Sequence, residues 1–267
     1  MITIPNCIYQ IGKYKSYEEL EFPYNLNAES WKKINPDWQY LYTNDIDAEH
    51  EVKEFDKDLH ELFIVLKQLE VKNNISGAYK TDIWRHIKLY ENGGVYADLD
   101  SASVVSLSLI NLIDYQSNTE FLIPPRSYGT YWSNDYNSSC KSCNEFWELI
   151  KNSHILKKEG FNNAMFAVTP RSKILLKTLE ETIKFFKIFK KMHGNQDYIH
   201  WSITSLVDAL FLNYMIQENI DYVSETFIYG MHAPHIEVNG STIKNYKDDF
   251  VDFNVFTGSI KKYSDIS

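Results

Sequence analysis

The sequence predicts an α/β layered domain with a largely parallel central sheet. Short apolar runs that read as strands alternate with longer stretches of helical periodicity, the pattern of stacked sheet and helix layers. No Pro-, Gly- or Ser-rich linker divides the 267 residues, so a single domain over 1–267 is expected. A short strand ends in two aspartates, and in such sheets ligands bind beyond the carboxyl ends of the strands.

The elements follow in order. Residues 4–11 read as a first strand, broken at Gly12, and 27–34 as a short helix stopped by Asn35-Pro36. Residues 38–43 alternate aromatic and polar side chains and read as a second strand. Residues 55–71 carry Leu59, Leu62, Phe63, Leu66 and Leu69 on one helical stripe. The next helix is 76–92, with Ser76 as N-cap and Asn92-Gly93 as its left-handed end. Strands are expected at 95–99, 121–123 and 164–168. Thr169-Pro170 then starts a helix bearing Ile174, Leu175, Leu179, Ile183, Phe186 and Phe189. Residues 201–217 read as helix, and 222–229 as one or two strands.

Charge and composition exclude several classes. A net charge of −9 and a pI near 5.4 argue against a nucleic-acid grip, which needs a basic face. No stretch has the form of a signal peptide or a membrane span, so a cytoplasmic protein is expected. Cys140 and Cys143 are spaced like half a zinc site, but no second pair matches them, and two incidental thiols are the simpler reading.

The chemistry concentrates in Gly93-Gly94-Val95-Tyr96-Ala97-Asp98-Leu99-Asp100. Glycine is scarce, with 10 in the chain, so a doublet points to backbone geometry that other residues cannot adopt. On a strand, Asp98 and Asp100 would share a face and repel. A cation between them relieves that repulsion, and oxygen ligands suit Mg2+, Mn2+ or Ca2+. Upstream, in the 76–92 helix, Asp82 and Arg85 share a face, either as a surface ion pair or as side chains aimed into the same site.

The block from Ala78-Tyr79-Lys80-Thr81-Asp82-Ile83-Trp84-Arg85 through Leu89-Tyr90 to Asp100 resembles the signature of DXD glycosyltransferases. Its nearest likenesses are family 32, with its yeast-type mannosyltransferases and capsular polysaccharide sugar transferases, and the glucosyltransferase domain of the large clostridial toxins. Looser likeness lies at Ile4 to Ile11, Ser30 to Trp38 and Asn162 to Pro170. Tyr9 and Gly12 stand where many relatives have His and Trp, and the C-terminal motif survives only as His232 to Ser241 without its Trp.

The resemblance implies a GT-A fold, with a donor-binding half over about 1–125 and an acceptor-side half over about 126–267. It implies a metal-dependent hexosyltransferase that moves a sugar from a UDP- or GDP-sugar, with retention of configuration, to a glycan, lipid-linked or protein acceptor. Catalysis would fall to Asp82, Arg85, Asp98 and Asp100, and metal binding (Mn2+ or Mg2+) to Asp98, Asp100 and His232, with His235 a second candidate. Donor contacts would come from Gln10, Ile11, Asp82, Arg85, Tyr96, Asp98 and Asn163. Two rivals remain: a non-catalytic sugar-nucleotide-binding protein of the same fold, and a haloacid-dehalogenase-like phosphatase with Asp98 as nucleophile.

Overall fold

Strand β1 (Cys7–Gly12) is almost wholly buried and holds two parallel neighbours: β2 (Gln39–Asn44), with Ile8 opposite Tyr40, and β3 (Gly94–Ala97), with Ile8 opposite Val95. The computed structural model describes residues 4–22, 24–73, 78–103, 107, 121–122, 165–193, 222–230, 235–238, 241–244 and 252–261. The helices are α1 (Tyr24–Ile34), α2 (Asp45–Phe55), α3 (Lys57–Asn73), α4 (Ala78–Asn92) and α5 (Lys173–His193). The remaining strands are β4 (Ser101–Ser103), β5 (Phe121–Leu122), β6 (Met165–Val168), β7 (Tyr222–Gly230), β8 (His235–Val238), β9 (Ser241–Lys244) and β10 (Asp252–Lys261).

Eight strands form one sheet in the order β2-β1-β3-β6-β5-β7-β10-β4, and β8 and β9 pair separately as an antiparallel ribbon. The pairs β1/β2, β1/β3, β5/β7 and β4/β10 are parallel; β3/β6, β5/β6 and β7/β10 are antiparallel. The fold is α/β, with a mostly parallel sheet flanked by helices.

The alternation of side chains along β3 separates two layers. Val95 and Ala97 join the core of Ile4, Ile8, Trp31, Trp38, Met165 and Ala167, on the side of α1. Tyr96 faces the other way, edge-on to Trp84 of α4 at 6.3 Å and near Phe166 at 6.1 Å. There α4 packs on α2, α3 and α5. The expected stripe of Leu59, Leu62, Phe63, Leu66 and Leu69 is buried throughout.

Several elements depart from expectation. The strand begins at Cys7 rather than residue 4, after Pro5, which has no N–H to pair, and it runs on to Gly12. Helix α2 was not anticipated. Asn44 caps it, its side chain accepting from Ile46 N and Asp47 N, but only Ala48 and Val52 are buried, too sparse an apolar stripe to announce a helix. Phe55 ends α2 rather than opening α3, whose first turn is capped by Asp56. Helix α5 starts at Lys173, behind Ser172, not at Thr169-Pro170. Pro170 and Arg171 form a turn in which Arg171 takes φ 61° and donates N–H to Tyr90 O at 2.7 Å.

The Gly93-Gly94 doublet does serve backbone geometry. Both residues have positive φ, 64° and 103°. A Cβ on Gly93 would lie 2.6 Å from Pro170 Cδ, and one on Gly94 2.8 Å from Cys7 O. Gly12, in place of the expected Trp, has Leu99 Cδ2 2.6 Å from where its Cβ would be. Leu99 and Tyr42 already fill that space.

Candidate active site

The two aspartates are presented by a turn, not by a strand. β3 stops at Ala97, and Ser101 N donates to Asp98 O at 3.0 Å, closing a β-turn over 98–101. The expected strand through 99, with both carboxylates on one face, is therefore corrected. Asp98 turns toward α4, where its Oδ1 accepts the Tyr96 hydroxyl at 2.5 Å and lies 3.6 Å from Arg85 Nη1. Asp100 lies near enough to Tyr24, at the start of α1, to raise that phenol's pKa after burial has done so.

The pair still interacts. Burial, then the Asp100 charge, pushes the Asp98 pKa up to about 7, against the pull of Arg85 and the Tyr96 hydrogen bond. A third of the Asp98 side chain (33%) stays open, so solvent screening trims that push and the carboxylate remains reachable. Burial raises the Asp100 pKa as well, and its Oδ1 is buried with no hydrogen-bond partner among the described residues. A buried carboxylate oxygen without a donor is costly, and a hard cation is the partner that answers it. Two carboxylates, one with an uncommitted oxygen, fit a divalent ion bound through oxygen. Among the described residues no third His, Cys, Asp or Glu joins them.

Asp82 and Arg85 do not form the surface ion pair that their spacing allowed. Both are buried and paired with each other, and Arg85 Cζ sits 5.3 Å from the Tyr96 ring. Asp82, Arg85, Tyr96 and Asp98 thus form a continuous chain of contacts between α4 and the turn. Beneath it His86 Nδ1–H donates to Asp82 O at 2.7 Å. Burial and Arg85 hold the His86 pKa well below its usual value, so the ring is neutral.

Gln10 and Ile11, expected as donor contacts, both have buried side chains. Gln10 Nε2 donates to Asp98 O at 2.8 Å, and its Oε1 accepts from the Tyr40 hydroxyl at 2.7 Å. Any donor contact from this strand would come through its backbone. His235 opens β8, opposite Lys244 of β9; Asn163, His232, Ser76, Cys140, Cys143 and the 201–217 segment lie outside the described residues.

Sequence reasoning missed Asn27 and Trp31. Asn27 Nδ2 donates to Leu99 O at 3.2 Å and Trp31 Nε1 to Ser101 O at 2.9 Å. Their spacing of four on an otherwise amphipathic helix was the available signal, since polar groups on a buried face must find partners.

Residues 24–119 match the family model described as "Glycosyltransferase sugar-binding region containing DXD motif". In sequence, this segment is similar to the DXD-containing sugar-binding region of glycosyltransferases. The matched segment runs from the start of α1 past β4 and contains Asp82, Arg85 and the whole acidic turn. No curated protein matches the chain by sequence. Among solved structures, the PaToxG Glycosyltransferase is similar, with a TM-score of 0.47 and 15% identity over 80% of this chain and 70% of that one. No helix among the described residues is long and apolar enough to cross a membrane.

Proposed function

We propose that this chain is a glycosyltransferase that moves a hexose from a UDP- or GDP-sugar to a glycan, lipid-linked or protein acceptor, with retention of configuration and dependence on Mn2+ or Mg2+. The observation that carries the reading is the convergence of Asp82, Arg85, Tyr96 and Asp98 at the turn that also bears Asp100 with its buried, unpartnered oxygen.

The difficult step is departure of the nucleoside diphosphate, because negative charge builds on the bridging oxygen. A divalent ion held by Asp98 and Asp100 supplies Lewis acidity toward that diphosphate when bound. Arg85 contributes a fixed positive charge that needs no reorganisation, being already held by Asp82 and the Tyr96 face. Asp82 accepts hydrogen bonds from donor-sugar hydroxyls at the rim of its ion pair. Tyr96 fixes one Asp98 oxygen and leaves the other free for the ion. His232 is the candidate third protein ligand, and Asn163 a candidate wall of the sugar pocket.

A panel of UDP- and GDP-sugars, assayed for nucleotide release with Mn2+, tests this. Release from one or two donors that is lost on adding EDTA is the expected result. Binding without release from any donor, with candidate acceptors present, would leave a non-catalytic sugar-nucleotide-binding protein. Trapping of beryllofluoride on Asp98 would instead favour the phosphatase.

A further inference from the structure

The backbone of the acidic turn is held through its carbonyls, mostly by side chains distant in sequence. Asp98 O accepts from Gln10 Nε2 at 2.8 Å and from Ser101 Oγ at 2.7 Å, Leu99 O from Asn27 Nδ2 at 3.2 Å, and Ser101 O from Trp31 Nε1 at 2.9 Å. Gln10, Asn27 and Trp31 are each at most 2% exposed. The contacts continue down α1: Ser30 Oγ accepts from Ser103 N at 2.8 Å, and Asn35 Oδ1 from Leu107 N at 2.6 Å.

These contacts form a ladder. β4 is the last strand of the sheet and pairs with β10 on one side. Ser101 O and Ser103 N point the same way along the strand, toward α1, so helix side chains stand in for a missing neighbouring strand. Asn27, Ser30 and Trp31 of α1, and Asn35 just past its end, meet residues 99, 103, 101 and 107. The position of the helix along its axis thereby fixes the backbone that carries both aspartates.

We propose that Gln10, Asn27 and Trp31 are positioning residues for the acidic pair: by holding the carbonyls of the turn rigid, they keep Asp98 and Asp100 within reach of one ion. The inference rests on the donor-site reading of that pair. It extends that reading to residues that touch neither metal nor sugar.

The test uses Trp31→Phe, which keeps the ring and removes the N–H, and Gln10→Met, which keeps the length and removes the amide. Asn35→Ala is the control, since it removes the same kind of buried contact from the far end of the ladder. Two readouts are needed: Mn2+ affinity by titration in the presence of UDP or GDP, and hydrogen exchange of a peptide covering 97–102. Trp31→Phe and Gln10→Met should weaken Mn2+ binding by roughly tenfold or more, as loss of outer-shell support does, and speed exchange in that peptide. Asn35→Ala should lower overall stability and leave both readouts near the native values. Should all three variants lose stability alike, with native Mn2+ affinity and native exchange at 97–102, the positioning role is wrong. Should the native protein bind no Mn2+ with any nucleotide, the donor-site reading falls, while unchanged exchange in Trp31→Phe and Gln10→Met would still overturn the clamp on its own.

Discussion

Single residues show how far the chemistry could be read from composition of the motif alone. The candidate site residues stood out as a group, because Asp82, Arg85, Tyr96, Asp98 and Asp100 fall in one short register. Their orientation was not. Period-two alternation put the aspartates on one face, but the strand stops at Ala97, and a turn sends them toward α4 and α1 respectively. Two substitutions follow from that geometry. Asp100→Asn removes a charge whose burial raises its pKa and whose Oδ1 lacks a partner. The apo variant should therefore melt at or above the native temperature, and on the proposed metal reading it should lose the stabilisation expected of Mn2+ on the native protein, both read by thermal shift with and without the ion. Arg85→Met strands the buried carboxylate of Asp82, and urea titration should find a loss of about 3 kcal/mol or more.

At the level of elements, helices with dense apolar stripes were readable and those held by polar contacts were not. α3 shows five buried apolar positions at helical spacing, whereas α2 buries only Ala48 and Val52 and depends on the Asn44 cap. The junction from α4 into β3 was readable because two glycines in a glycine-poor chain mark it. Gly93→Ala should destabilise by about 1–3 kcal/mol, since the new Cβ meets the Pro170 ring at 2.6 Å and φ is 64°. Chemical denaturation measures this, and an unchanged midpoint would mean that the junction relaxes freely. At the other end of α4, Glu70 reaches across from α3. Its Oε1 accepts from Tyr79 N at 2.7 Å and Lys80 N at 3.0 Å, and its Oε2 meets Lys80 Nζ at 2.9 Å. Such a cap from a neighbouring helix leaves no trace in the local sequence.

Across the whole molecule, the α/β class was visible in the alternation of elements, but strand order was not, because pairing is decided by contacts far apart in the chain. The antiparallel placement of β6 between β3 and β5 is an example. The same long-range burial governs alkaline stability. Burial lowers the Lys80 pKa, but Glu70 and Asp45 outweigh it and hold the ammonium above its ordinary value. Burial likewise raises the phenols of Tyr40 and Tyr96. A folded pKa above the unfolded one gives stability that is complete below the unfolded value and lost as pH climbs through the folded one. Denaturation midpoints should therefore hold from about pH 7, above the Asp98 titration, to about pH 10 and fall beyond it, where the unfolded chain's tyrosines and lysines ionise first. Lys80→Met should narrow its gap to the native protein over that range, and a constant gap to pH 11.5 would contradict the assignment. The side chains of β1 and α1 that hold the acidic turn also bear on how the site comes into being. Their contacts bridge 88, 72 and 70 residues of chain. Loops of that length close late and against a large entropic barrier. No fragment spanning only the acidic block carries the partners that shape it, so affinity for Mn2+ should emerge in a refolding experiment together with the final cooperative phase, not with early helix formation.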